Sequence, residues 1–182
     1  MARRITVGTN HGGINYFYRM AKNPSYLATV VNEVAKIPLE DTSDTGRILP
    51  FEIEEKIEHN NVIIYKRIIT DYAFYSSLIH DTYEIISETN PNIRDRIMKL
   101  VHRKYLDITG QLILENSHDS ILGAISKKGD YVIEKVLTIL IDQLYESINF
   151  DNEISIEDME MALEIIIGDA FFNCKILENP KF

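Results

Sequence analysis

A mainly α fold, an antiparallel bundle of four to five helices with a short N-terminal β-hairpin or strand extension, is what this sequence predicts. Three observations carry it. Apolar residues recur at alternating spacings of three and four from Val62 to Ile86, the signature of a long helix. Asn-Pro pairs at 23–24 and 90–91 are helix starts, with Asn as cap and Pro at the first helical position. Alternating β-branched and aromatic residues around the Gly12-Gly13 turn signal are confined to the first twenty positions.

The N-terminal stretch, Ile5 to Gly8 and Ile14 to Tyr18 about the turn, reads as a hairpin or a pair of extended strands. Two strands alone are marginal in water, so this extension, residues 1–22, needs the domain or another chain to lie on. A connecting helix follows over 23–37 and stops before Pro38. Residues 38–50, polar, Pro-bounded and without periodicity, form a linker. The helical domain then occupies 51–180.

Its first helix is short, Phe51 to His59, and is interrupted by Asn60 and Asn61. The heptad row Val62, Tyr65, Ile69, Tyr72, Ser76, Ile79, Tyr83 and Ile86 then defines the long helix, about 37 Å of it. A second row, Ile64, Ile68, Tyr75, Leu78 and Ile85, widens its apolar face beyond one stripe, so the helix is either central to a bundle or buried against a partner. A third helix runs from Asn90-Pro91 to Glu115, tolerating Gly110. Residues 116–129 read as a loop with one helical turn. Asp130 caps a helix whose face is Ile133, Leu137, Leu140, Leu144 and Ile148, and Ser155 with Asp158 starts a final helix extending to Leu177, with Cys174 in its core stripe. Gly168 and Ala170 mark the close approach of a neighbouring helix.

Composition sets the class. With 182 residues, 45% hydrophobic and 26% charged, and a mean hydropathy of −0.12, the chain is an ordinary globular domain. Its single cysteine excludes an internal disulfide and Cys-rich zinc sites. No apolar run is long enough to span a membrane and the start lacks a secretory pattern, so a cytoplasmic location without membrane association is expected. The net charge of −9 argues against wholesale coating of nucleic acid. The charge is uneven: residues 1–22 carry Arg3, Arg4, Arg19 and Lys22 and no acid, whereas residues 151–164 carry six acids and no base.

No phosphate-cradling loop, nucleophile elbow, zinc helix, calcium loop or Cys-x-x-Cys pair occurs, so no catalytic residue, cofactor site or metal site is assigned. The one basic concentration is Arg94 to Lys104. Arg96, Lys99 and Arg103 line up on one helix face, which reads as a solvated face or, with Arg94, as a contact for a partner or for phosphates. Ile14, Tyr16 and Tyr18 are the corresponding contact candidates on the strand extension. Arg96 and His102 stand at a spacing similar to that of the all-helical HEPN ribonucleases, in which Arg and His act on the scissile phosphate and 2′-hydroxyl; Ile97 departs from the polar residue usual there. A HEPN-like ribonuclease effector is therefore the alternative to a non-catalytic reading.

Three phrases resemble a known family: LPFEIEEKIEHNN at 49–61, Tyr65-Lys66 with Tyr72 and Tyr75 on the long helix, and AFFNCKILENP at 170–180. They are similar to the small helical domain of bacterial ABC-three-component conflict systems, in which a strand like Thr9 to Gly13 often precedes the helical part. The resemblance implies an antiphage complex of an ABC or SMC-like ATPase, a small middle component and an effector. No separate effector domain fits beside the helices in 182 residues, so the expected role is an adaptor held in a homo-oligomer or hetero-complex.

Overall fold

In the computed structural model, residues 9–10, 13–14, 23–38, 49–115, 125 and 127–180 are described. Their helices are α1 (Tyr26–Val34), α2 (Phe51–His59), α3 (Lys66–Ser87), α4 (Ile93–Glu115), α5 (Gly129–Tyr145) and α6 (Ile156–Phe172). Strands β1 (Thr9–Asn10) and β2 (Gly13–Ile14) pair antiparallel with Thr9 opposite Ile14. The rest of the expected hairpin, with Tyr16 and Tyr18, lies outside the described residues, as do most of the linker and of the 116–129 loop.

The heptad row folds as the periodicity requires. Ile69, Tyr72, Ile79, Tyr83 and Ile86 are all buried along α3, and this face packs chiefly on α6. The approach is close because α6 presents Gly168: a Cβ there would overlap Cβ of Tyr72. The expectation placed on Gly168 therefore holds. α1 touches α3, α4, α5 and α6, and Leu27, Ala28, Val30, Val31 and Val34 join the same core, so the 23–37 helix is built into the bundle.

Besides α4, which begins at Ile93 and leaves the Asn90-Pro91 start ahead of it in a turn, helix ends depart from the sequence reading in three places. The cap of α1 is Ser25, whose Oγ accepts from the Leu27 amide at 3.1 Å, and not Asn23. Asn23 instead pairs in parallel with Ser147, its carbonyl accepting from the Ile148 amide at 3.2 Å. Asn149 in the same turn bonds Ser25 through both ends of its amide, at 2.7 and 3.0 Å, and ties the start of α1 to the end of α5.

The second departure is Asp130. The cap of its own helix is Lys128, which makes no side-chain cap bond. The Asp130 carboxylate accepts instead from the amides of Ile63, Ile64 and Tyr65, at 3.0 to 3.2 Å, and so holds the turn that leads into α3, which begins at Lys66 rather than Val62. The reason lies just upstream. α2 ends with Asn61 in the left-handed region (φ 51°), the Asn61 amide on Glu58 O and the Val62 amide on Ile57 O, a Schellman closure that leaves residues 62–65 outside any helix. Gly129, with its amide on Asn60 O at 3.0 Å, lets α5 come in against that turn.

Third, α6 ends at Phe172 and not near Leu177. Cys174 takes a left-handed conformation (φ 52°), its amide on Phe171 O and the Lys175 amide on Ala170 O, the same closure with Cys in place of the usual Gly. Cys174 is consequently exposed rather than a core thiol. Ile148, expected on the buried face of α5, lies past its end and is 63% exposed.

Candidate functional site

Arg94, the first residue of the predicted basic contact face, turns into the bundle. Its Nη2 and Nε donate to Asp169 at 2.6 and 3.2 Å, and Asp169 is fully buried on α6. Tyr72 donates its hydroxyl to the same carboxylate at 2.6 Å and Asn173 adds an amide at 2.8 Å. Three helices thus converge on one carboxylate. The hydrogen bonds to Asp169 hold the guanidinium charged more firmly than usual, and burial followed by the Asp169 bond pushes the Tyr72 hydroxyl above the ordinary phenol range. A neutral phenol and a locked guanidinium are suited to fixing α3, α4 and α6 together, not to moving protons.

Arg96 and His102 are held by different neighbours. The Arg96 guanidinium stacks over the Tyr26 ring, 4.7 Å from its centroid, on the α1 side. His102 Nδ1 lies 2.7 Å from the Lys175 carbonyl on the chain after α6, so that nitrogen carries the proton. Six positions along a helix put the two side chains about 120° apart around it and about 9 Å along the axis. They share no site within the chain. Lys99 and Arg103 are exposed on α4. Among the described residues no three His, Cys, Asp or Glu side chains converge as a metal would require.

The segment after α6 is strapped down by residues that belong to no chemical motif. Asn60 donates to Glu178 O at 2.8 Å and accepts from the Glu178 amide at 3.0 Å, replacing a strand partner with one side chain. Tyr105 donates to Glu178 Oε1 at 2.5 Å. Lys56 is buried and donates to Phe171 O at 2.8 Å, capping the carbonyl end of α6 while its ammonium lies 4.2 Å from the centre of the Phe171 ring. The phrases at 49–61 and 170–180 are therefore spatial partners. Their signal in sequence was the pairing of a polar-rich helix end with a polar chain end, which nothing local connects.

Burial brings the Lys56 ammonium down from 10.5 to about 8, with the charges of Cys174 and Glu178 acting the other way. Between pH 8 and 10.5 the unfolded chain holds a proton that the native state has released, so stability rises with pH there and is lowest below 8. Urea unfolding from pH 7.5 to 9.5 should show a gain on the order of 1–2 kcal/mol, and Lys56→Met should flatten it. A wild-type curve falling over that range contradicts the assignment.

Ile64, Leu78 and Ile85, members of the second row of the long-helix pattern, are 74%, 46% and 67% exposed, whereas Tyr75 of that row is buried. The widened face is thus only partly covered by the described residues. No helix among the described residues is long and apolar enough to cross a membrane.

Over residues 25–178 the chain matches the family described as C-terminal domain 10 of the ABC-three component (ABC-3C) systems. The chain belongs to this family. The match takes in α1 to α6, including the helix ahead of Leu49, in keeping with the place of α1 in the core. No match is found among curated proteins or solved structures. This C-terminal domain 10 thus carries an Arg–Asp–Tyr junction, a strapped segment after α6, and the exposed side chains of Ile64, Leu78 and Ile85.

Proposed function

We propose that this C-terminal domain 10 is a non-catalytic docking component of a bacterial antiphage complex, joining an ABC or SMC-like ATPase to an effector in the cytoplasm. The observation that supports it most is the apolar row of Ile64, Leu78 and Ile85. Single exposed apolar side chains are ordinary; Leu78 and Ile85, about two turns apart on α3, with Ile64 just ahead of it, are what a helix face meeting another subunit needs. The locked network behind that face, Tyr72 and Arg94 on Asp169, keeps α3 rigid and lowers the entropy lost on docking. Residues 1–20 supply a second contact through a strand edge.

The test is co-purification of the complex from cells expressing all components. Leu78→Glu with Ile85→Lys should reduce recovery of partners at least tenfold, with the helical circular dichroism unchanged, since the two positions lie outside the core. Deleting residues 1–20 should also lower recovery while the helical domain stays folded. Full recovery with the charged α3 face would remove the docking role of this helix.

A further inference from the structure

Between α5 and α6 lies a groove of about 280 Å³. Leu137, Ile141 and Leu163 form its floor, and Glu134, Glu160 and Glu164 its rim. Among the described residues none of these three carboxylates has an ion-pair partner, and the base on this side, Arg67, pairs with Asp71 at 3.5 Å. Burial, then Glu160 and Asp71, raise the Glu164 carboxyl above the usual range, against the opposing charge of Arg67. A groove that is apolar below and negative above fits cations flanking an apolar side chain.

The outward face of α4 displays that chemistry. Lys99, Arg103 and Leu106 are exposed, Leu106 to 52%, and at i, i+4 and i+7 they fall within about 60° of one another around the helix. Neither base has an ion-pair partner among the described residues, and the acids of this stretch, Asp95 and Asp107, fall to either side of the stripe. The two surfaces also match in length and order. Seven positions separate Lys99 from Leu106 and Glu134 from Ile141, about 10.5 Å in each helix. Glu134 and Glu164 both act on the Tyr65 hydroxyl and so share one end of the groove, with Ile141 toward the other. An α4 laid along α5 in the same direction brings Lys99 to the Glu134 and Glu164 end, Arg103 toward Glu160 and Leu106 to Ile141. Within one chain this is impossible, because α4 already packs on α5 through its buried side and turns the stripe outward.

We infer that the α5–α6 groove of one molecule receives the Lys99, Arg103 and Leu106 ridge of a second copy of this chain. Ridge and groove are different patches, so each molecule offers one of each, and the association either closes on itself or extends. The contact does not involve the α3 face, and it needs no other component of the complex.

Sedimentation velocity of the full chain alone tests it. The wild type should self-associate at concentrations up to about 100 μM, and more weakly as salt is raised, since the charges involved lie at the surface. Lys99→Glu/Arg103→Glu and Glu160→Lys/Glu164→Lys should each associate at least tenfold more weakly, with the helical circular dichroism unchanged. Mixed in equal amounts the two variants should associate again, because the altered patch of each meets a complementary patch on the other. A wild type that stays monomeric overturns the proposal, as do charge variants that associate like the wild type or a mixture that remains monomeric. Association that survives both charge variants and is lost in Leu78→Glu/Ile85→Lys also overturns it, and would place the second copy on α3.

Discussion

Replacing Asp169 by Leu is expected to destabilise the domain by about 3–5 kcal/mol, the range for removing one member of a buried ion pair. The carboxylate is fully buried and satisfies donors from Arg94, Tyr72 and Asn173 at once, so its loss leaves a guanidinium and a phenol facing an apolar side chain. The cost is not the net worth of the pair. Arg94→Met, Tyr72→Phe and Asp169→Leu together remove every charge and the phenolic donor from the junction, and should recover most of the loss. Equilibrium urea unfolding of the single and triple variants measures both. A single-variant loss below about 1 kcal/mol would mean that water, not protein, serves these groups.

The next largest effect is expected at Gly168. Ala at this position places a methyl group on Cβ of Tyr72, backbone-near atoms that cannot swing aside as a side-chain tip would. The loss should be about 2–3 kcal/mol, in the upper part of the range for overpacked cores, even though Ala is the better helix former by about 1 kcal/mol. Gly110 on α4 supplies the contrast, since a Cβ there meets nothing within 4 Å. The two glycines look alike in sequence, each inside a helical pattern. Thermal melts of Gly168→Ala showing no decrease would place α3 and α6 farther apart than the structure has them.

Periodicity alone carried the identity of the long elements. Spacings of three and four between Val62 and Ile86 require a helix with one buried face, and Ser155 followed by Asp158 requires a helix start; both act within one or two turns of chain, so they are legible without a partner. The bounds of α2 came out where the local pattern put them. The phrases by which the chain resembles its family were legible too, as residue strings, without any indication that two of them touch.

Tertiary structure decided the polar residues. Arg94 looks like a contact residue beside a basic face, yet it is drawn inward to Asp169, 75 positions away, whose carboxylate takes both its Nη2 and its Nε. Asp130 looks like the cap of its own helix and serves α3, because the Asn61 turn leaves three amides pointing at it. Cys174 fits the apolar stripe of α6, and only the closure on Ala170 O and Phe171 O ends the helix first. Hydrophobic burial is a short-range, repetitive demand that every turn of helix states again. A hydrogen bond is a single directed contact between residues that can lie anywhere in the chain, and only the folded backbone says which donor stands opposite which acceptor.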